Sequence, residues 1–310
     1  MMLRRGVVIS LLLVGSSLLS LAATQAPANS GGTEAKKAGS EACKDCHEDR
    51  WKEFQTSPHG RAQQDAAVLP TDPGCESCHG NGSLHVAAAG DTTDAGFHTM
   101  KPLNKIPVAE ADARCQSCHS GGDQFYWKHS AHSRKGVSCI SCHSVHSPKS
   151  AGGAKLLSAK SPNDLCVTCH KDKKHALARS GHMPLREGGM SCADCHNPHG
   201  SPGPKMIKAA TANDLCYKCH ADKRGPMLWE HAPVRENCMN CHQPHGSNND
   251  KVLASKKPYL CQRCHIGTRH PSTSYDNRDL VGNRTFNRSC TNCHSQVHGS
   301  NHPSGKYFLR

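Results

Sequence analysis

The chain has 310 residues, of which only 4% are aromatic, and it carries 38 Lys and Arg against 25 Asp and Glu. Its mean hydropathy of −0.64 excludes an apolar core of ordinary size for a chain of this length. The formal net charge of +13 would by itself suggest nucleic acid or anionic lipid as partners.

The N-terminus predicts export. Two arginines lie within Met1–Arg5, residues 6–23 are almost wholly apolar or small, and further small residues follow. This pattern predicts a secretory signal peptide over residues 1–26. An uncleaved membrane anchor is the alternative, but the apolar stretch is short for a span of about 20 residues. Residues 27–40, rich in Gly, Ser, Ala and Lys, predict a disordered leader before the main domain at 41–310.

Ten CxxCH motifs follow, and together they use all 20 cysteines. This motif attaches c-type haem: each cysteine sulfur adds to a vinyl group, and the histidine becomes an axial ligand of the iron. The predicted thioether residues are Cys43, Cys46, Cys75, Cys78, Cys115, Cys118, Cys139, Cys142, Cys166, Cys169, Cys192, Cys195, Cys216, Cys219, Cys238, Cys241, Cys261, Cys264, Cys290 and Cys293. The predicted proximal ligands are His47, His79, His119, His143, His170, His196, His220, His242, His265 and His294. The chain is therefore predicted to carry ten covalently attached haem c groups.

Zinc binding and disulfide bonding are the alternative uses of these cysteines. Zinc sites pair one CxxC with a distant second half, and a disulfide scaffold needs only cysteines. Neither explains a histidine after every second cysteine. With 24 histidines in 310 residues, ten such histidines by chance have a probability on the order of 10⁻¹¹. The sequence favours haem, and with roughly 29 residues per haem the porphyrins must replace the missing apolar core.

Haem changes the interpretation of the net charge. Loss of Arg4 and Arg5 with the signal peptide lowers the formal charge from +13 to +11. Ten haems add twenty propionates, and each ferric bis-histidine porphyrin adds one positive charge. The oxidised protein is then near +1 and the reduced protein near −9, both rough values. The lysines and arginines balance propionates, so no nucleic-acid partner is predicted.

Fourteen histidines remain as candidates for the second axial position. When the motifs are taken in consecutive pairs, each motif is followed by one further histidine, which defines a tandem repeat of two-haem units. The units span about residues 43–85, 115–146, 166–199, 216–245 and 261–298. The predicted distal ligands are His59, His85, His132, His146, His182, His199, His231, His245, His270 and His298. The spare histidines are His98, His129, His175 and His302, and His129 stays an alternative to His132.

Local similarity between the units supports this register. The pattern S-x-H recurs at residues 130–132 and 180–182, and H-x-P-H-G recurs at 196–200 and 242–246. The alternative for each single histidine is a hydrogen bond to a propionate or to the backbone. Ten histidines in matching positions favour ligation.

Spacing excludes one arrangement of the ligands. His199 lies three residues after proximal His196, and three residues span at most about 11 Å, too little to reach the opposite face of the same haem. We therefore expect His199, His146 and His245 to ligate a neighbouring haem. The haems are then tied close together, as electron hopping requires.

The predicted fold class is mainly α with extensive coil and little or no β structure, with the haems forming the core. The pattern N-D-L-C recurs at residues 163–166 and 213–216, and Asn and Asp are good N-caps, so each CxxCH is expected in a short helix. Two long stretches without a motif, Gly80–Arg114 and Arg269–Arg288, are predicted surface loops.

Histidine on both sides of an iron leaves no position for substrate, so these haems are predicted to carry electrons and no catalytic residue is assigned. Bis-histidine ligation also lacks the methionine that raises the reduction potential in other c-type cytochromes. A multihaem reductase is a third reading. It would need a haem that lacks its distal ligand, and the lysine motif CxxCK of nitrite reductases is absent.

The motifs, the signal peptide and the tail H-G-S-N-H-P at 298–303 resemble the MtrA/DmsE/PioA family of decahaem c-type cytochromes over essentially the whole mature chain. The resemblance implies a periplasmic protein at the outer membrane, held inside a porin-like β-barrel partner. It also implies electron exchange with periplasmic or inner-membrane cytochromes or a quinol dehydrogenase, and with an outer-surface multihaem cytochrome. The distal and proximal histidines named above would take their roles from the family.

Two classes of function therefore compete. In the first, the protein conducts electrons across the outer membrane within its barrel partner, which coil would need because unpaired backbone cannot face lipid. Large barrels have lumens that hold a plug. In the second, the protein is a free periplasmic electron shuttle. The direction of electron flow stays open.

Overall fold

The computed structural model describes residues 34–64, 74–181, 185, 187–265 and 289–309. The predicted signal peptide, most of the predicted leader, the loop expected at Arg269–Arg288, and the predicted ligands His182 and His270 lie outside these residues. The elements below all belong to the unit Ala35–Arg310.

Short helices joined by coil make up the described chain, and none is longer than nine residues. The α-helices are Glu41–Lys44, Glu48–Thr56, Pro58–Gln63, Glu76–His79, Ser83–Ala87, Val108–Gln116, Ala131–Arg134, Pro162–Cys166, Lys171–Leu177, Cys192–Cys195, Ala212–Tyr217, Ala232–Glu236 and Tyr259–Gln262. The 3₁₀ segments are Ala95–Thr99, Leu103–Lys105, Gly122–Gln124, Trp127–His129, Cys139–Ser141, Ala151–Leu156, Pro204–Met206, Ala221–Lys223, Cys238–Asn240, Asp250–Val252, Cys290–Asn292 and Gly305–Tyr307. No helix within these ranges has the length and apolar character of a membrane span.

The predicted fold class is confirmed. The described residues form no extended strand, and β pairing is limited to isolated bridges. Three of these bridges repeat, since they join a proximal histidine to an apolar residue 11 to 14 positions later: His143 to Leu157, His196 to Ile207 and His242 to Leu253. The repeat seen in the sequence is thus also a repeat of backbone contacts.

The helices before two motifs begin earlier than expected. Ser161 and Thr211 are the N-caps, since their hydroxyl oxygens accept from the backbone N–H groups of Asp164 and Asp214, each at 3.1 Å. The expectation that Asn163 and Asn213 cap these helices was wrong. Each asparagine is instead the second residue of its helix, so its side chain does not cap the helix and can make another contact.

The stretch Gly80–Arg114 is not the loop that was expected. It contains four short helical segments, of which the longest, Val108–Gln116, leads directly into the third motif. Alanines favour this helix, and Glu110 pairs with Arg114 one turn later at 2.6 Å. The absence of cysteine was mistaken for the absence of structure.

The apolar core of the polypeptide is small. Its buried hydrophobic side chains are Phe54, Ala88, Ala111, Trp127, Leu157, Ile207 and Val252. Most histidines and cysteines of the motifs are only half-buried or exposed in the polypeptide alone. The small number of buried apolar side chains agrees with the low mean hydropathy of the chain. Both are expected if covalently attached groups fill the space between the chain segments.

Candidate haem sites

The cysteines are arranged in neighbouring pairs. All 20 lie in the described ranges and none forms a disulfide. In each two-motif unit the first cysteines of the two motifs interact with each other: Cys43 with Cys75, Cys115 with Cys139, Cys166 with Cys192, Cys216 with Cys238, and Cys261 with Cys290. The attachment points of two haems in one unit are therefore adjacent.

The arrangement does not match a zinc protein. Across the described ranges, no group of three or more His, Cys, Asp or Glu side chains is placed to hold a metal ion. A structural zinc site needs four such ligands around one point. Instead, the histidines face each other in twos.

Eight proximal histidines each face a second histidine, and the ring centres are 5.9 to 6.3 Å apart. A metal–nitrogen bond of about 2.0 Å and about 1.2 Å from nitrogen to ring centre, counted on both sides, give about 6.4 Å across one iron. The pairs are His47–His85, His59–His119, His79–His146, His132–His170, His143–His199, His196–His245, His231–His265 and His242–His298. Each gap fits a bis-histidine iron.

The pairs follow a rule in the sequence. We number the CxxCH motifs, and the haem predicted at each motif, 1 to 10 and the units 1 to 5 in chain order. A predicted distal histidine between the two motifs of a unit faces the first proximal histidine of the next unit: His59 faces His119, His132 faces His170, and His231 faces His265. These contacts run forward along the chain.

The histidine after the second motif of a unit has its partner earlier in the chain. It faces the second proximal histidine of the preceding unit: His146 faces His79, His199 faces His143, His245 faces His196, and His298 faces His242. The first unit has no predecessor, and there His85 faces His47. In the described residues the contacts run in both directions between units 1 and 2, units 2 and 3, and units 4 and 5, and backward between units 3 and 4. No described histidine faces the proximal histidine three residues before it.

Of the two candidates near residue 130, His132 is the one that faces a proximal histidine, namely His170. Among the spare histidines, His98 bonds through Nε2 to the carbonyl of Thr92 at 2.9 Å, and His302 accepts at Nδ1 from the Ser304 N–H at 3.1 Å. The pairings of His182 and His270 lie outside the described residues.

Backbone carbonyls select one tautomer of several histidines. Because a carbonyl oxygen only accepts, the Nδ1 facing it must carry the proton, which leaves the Nε2 lone pair for a metal. In the second motifs of units 2 to 5 the bonds run from His143 to Lys155, His196 to Lys205, His242 to Lys251 and His294 to Tyr307. Among the distal histidines they run from His85 to Phe97, His132 to Pro198 and His231 to Val297.

Three further histidines have a buried Nδ1 without a hydrogen-bond partner: His59, His146 and His199. Burial lowers the pKa of each imidazole, and this keeps the ring neutral, which is the form that ligates a metal. An unpaired buried polar atom costs about 1–3 kcal/mol. Coordination at Nε2 would offset that cost, so these side chains also fit a haem iron.

A glycine follows each backward-facing distal histidine in units 3 to 5. Gly200, Gly246 and Gly299 have φ angles of 110°, 126° and 133°, which disfavour a side chain. A Cβ on Gly246 would lie 2.1 Å from the carbonyl oxygen of Ala176, in the preceding unit. The glycine of H-x-P-H-G therefore lets one unit pack directly on the backbone of the one before it.

Residues three positions before the first cysteine of a unit have a role that the sequence pattern did not predict. The side chains of Ser40, Asp112, Asn163 and Asn213 accept hydrogen bonds, 2.7 to 3.0 Å long, from the backbone N–H of the first cysteine in the second motif. We call this contact the unit junction. Its position is constant relative to CxxCH, so an alignment of the units would have shown it.

A second set of residues that the sequence did not predict supplies the carbonyl groups that bond to Nδ1 of the proximal histidines. Lys155, Lys205 and Lys251 adopt positive φ angles of 55°, 54° and 52°, and each is followed by two apolar residues. The pattern of lysine and two apolar residues recurs after the second motif of units 2 to 4. It was visible in the sequence but carries no chemistry of its own.

The planes of the facing rings differ, which predicts a spectroscopic outcome. The rings of His59 and His119 are perpendicular at 89°, whereas those of His242 and His298 are nearly parallel at 13°. Perpendicular imidazoles make the electronic environment of a low-spin ferric iron strongly axial. We expect haem 3 to contribute a highly anisotropic, large-g EPR signal. The variant His59→Met should remove that signal and leave the parallel-type signals in place, and its persistence would contradict the pairing.

Facing histidines, paired cysteines and a core too small for the chain together define a multihaem c-type cytochrome. Comparison with known proteins agrees. The doubled CXXCH motif family matches residues 182–225 and 231–270, and the family described as cytochrome c-type protein NrfB-like matches residues 75–152. Each doubled-motif match spans the second motif of one unit and the first of the next.

A curated relative gives the particular family. The chain is 40% identical over 282 residues to the multiheme cytochrome MtrA of Shewanella baltica (strain OS185), a match that covers 88% of this chain and 81% of the relative. The chain belongs to the MtrA family of multihaem c-type cytochromes. It binds haem c, and it is an electron carrier, not an enzyme.

Proposed function

We propose that the protein binds ten haems, each ligated by two histidines, in a row whose order follows the sequence. Eight facing pairs support this. Continuing the forward rule pairs His182 with His220, and the remaining His270 is then assigned to His294. When bound, haem supplies one-electron chemistry; the chain holds both axial positions and so excludes substrate from the iron.

The single observation that carries an electron-conducting role is the two-way tie between consecutive units. Forward and backward histidines make every unit depend on its neighbours for ligands, so the irons cannot separate while the chain is folded. Fixed distances between neighbouring haems suit electron transfer from one haem to the next, whereas haems on flexibly linked units would act as independent carriers. The cross-ties therefore favour a conduit over a set of separate sites.

We further propose that the protein works in the periplasm and conducts electrons across the outer membrane inside a porin-like β-barrel partner. Family membership and the N-terminal export pattern support this. A coil-rich polypeptide has too few regular backbone hydrogen bonds to face lipid, so a membrane crossing would need a sheath. The donors and acceptors proposed at its two ends are periplasmic or inner-membrane cytochromes or a quinol dehydrogenase, and an outer-surface multihaem cytochrome.

Three measurements test these proposals. The haem content of the purified mature protein, from pyridine haemochrome absorbance against protein mass, should be ten. Affinity purification from detergent-solubilised outer membranes should yield a large β-barrel protein in equal amount. When dithionite is added outside liposomes that contain the complex, electrons from dithionite should reduce a dye trapped inside. Recovery only from the soluble periplasmic fraction, with no barrel bound, would show a free shuttle instead.

A further inference from the structure

The charge beside the paired cysteines changes sign along the chain. Units 1 and 2 place a buried carboxylate there, Glu76 and Asp112 respectively. Units 3 and 4 place the neutral amides of Asn163 and Asn213 at their unit junctions. Unit 5 places the ammonium group of Lys257 there. The haems attached at these cysteines are therefore exposed to different fixed charges.

Asp112 is the most enclosed of these groups. Its Oδ1 accepts from the Cys139 N–H at 3.0 Å and from the Ser138 hydroxyl at 2.5 Å, while Oδ2 accepts from the Trp127 indole N–H at 3.0 Å. Both oxygens act as acceptors, as in an ionised carboxylate. None of the ion pairs found in the described ranges includes Asp112, and the Trp127 ring contacts the edge of His199, the partner of His143.

Glu76 lies between the cysteines of the second motif. Its carboxylate accepts from the backbone N–H groups of Ala38 and Gly82 at 2.8 and 2.7 Å and from Gly39 at 3.0 Å. Burial acts to raise the pKa of Glu76, but these N–H groups, with Lys37, hold its pKa below the usual value. The Lys37 side chain is exposed, so water screens its charge, and the carboxylate remains a local anion.

Unit 5 has the opposite charge. Pro258 occupies the position of the junction residue and offers no side-chain acceptor, and the preceding Lys257 donates from Nζ to the Thr291 hydroxyl at 3.0 Å. Thr291 directly follows Cys290, and the Lys257 charge also acts on Cys261. The ammonium group is therefore close to the pair formed by Cys261 and Cys290.

Other charges within the described ranges do not cancel the trend. Arg114 donates to the carbonyl of Cys78 at 2.6 Å, but Glu110 neutralises it at the same distance. Asp164 and Asp214 occupy equivalent exposed positions in units 3 and 4, where solvent screens them. The buried and half-buried groups at the cysteine pairs therefore decide the difference between the units.

We propose that these groups grade the reduction potentials along the protein, lowest at units 1 and 2 and highest at unit 5. A nearby anion stabilises the ferric state, because reduction adds a negative charge, and a nearby cation does the reverse. Electrons would then move downhill from the N-terminal unit to the C-terminal unit. The inference rests on the proposed haem pairs, but not on the barrel or on the location in the cell.

The test uses the full mature holoprotein and equilibrium spectropotentiometry. Asp112→Asn would turn an amide N–H toward the Trp127 indole, so it is compared within a Trp127→Phe background. Removing the charge should favour reduction of two haems about tenfold, or about 59 mV for one electron, and raise the low-potential end of the titration. Lys257→Gln, which can still donate to Thr291, should lower the high-potential end by a similar amount.

Asp194→Asn is the matched control, since Asp194 is an exposed carboxylate beside Cys195 whose bond from the Ser191 N–H an asparagine can keep. It should shift the curve far less than Asp112→Asn. Haem content is measured for every variant, and Glu76→Gln gives an independent shift in the direction of Asp112→Asn if that variant loses haem. No shift, or shifts of the same sign for Asp112→Asn and Lys257→Gln, would overturn the gradient. Neither result would bear on the barrel-bound conduit.

Discussion

Excision of residues 164–213 is expected to leave an eight-haem cytochrome in which every iron keeps two histidine ligands. The cut removes one 50-residue period and joins Asn163 to Asp214, which restores the sequence N-D-L-C. The forward rule then pairs His132 with His220, and the backward rule pairs His143 with His245. Mass spectrometry and haemochrome absorbance should show eight haems, and the ferric spectrum should stay fully low-spin.

The control excision removes half a period, residues 192–215, and joins Ser191 to Cys216. Nine motifs remain, but the cut deletes His199 and His196, the partners of His143 and His245. It also makes the motif of His220 the second motif of its unit, where the next histidine, His231, follows after eleven residues instead of the three found in units 2 to 4. We expect at least one iron with an empty axial position, visible as a high-spin band and as carbon monoxide binding to the reduced protein. If both excisions gave the same spectrum, the two-way tie between units would be wrong.

The variant Gly246→Ala is expected to open one haem site and to destabilise the protein by about 2–6 kcal/mol. An alanine is strained at φ 126°, and its Cβ would meet the Ala176 carbonyl oxygen at 2.1 Å. The loop must then move away from the preceding unit and carry His245 with it. His196 would lose its partner, so the reduced protein should bind about one equivalent of carbon monoxide.

Gly90→Ala separates strain from overlap. Gly90 has a φ of 88°, but nothing lies within 4 Å of the added Cβ. This variant should lose only about 1–2 kcal/mol and bind no carbon monoxide. Equal effects of the two substitutions, measured by thermal unfolding and carbon monoxide titration, would show that contact between units does not position His245.

The sequence predicted which histidines are second axial ligands but not which haem each one serves. The three-residue spacing of His196 and His199 was enough to predict that they serve different haems, because chain length sets an upper limit on reach. It could not say which haem His199 serves. Its partner His143 lies 56 residues earlier in the chain, and only the packing of units brings the two rings to 6.0 Å.

The unit junctions show a different limit. Asn163 and Asn213 were visible and were given the ordinary role of asparagine near a helix start. The structure instead uses both ends of each amide: Asn213 accepts from the Cys238 N–H and donates to the carbonyls of Val234 and Arg235. A local propensity predicted a local contact, whereas the actual partners lie more than 20 residues away.

By itself, the sequence determined the cofactor class, the number of attachment motifs, the 50-residue period and the scarcity of apolar core, because covalent attachment needs particular residues at particular spacings. Only the tertiary structure decided which histidines face each other, which carbonyls orient them, and which charge lies beside each pair of cysteines. Those features depend on contacts between residues 9 to 67 positions apart, and the energy of such contacts is set by packing in three dimensions and leaves little trace in local pattern.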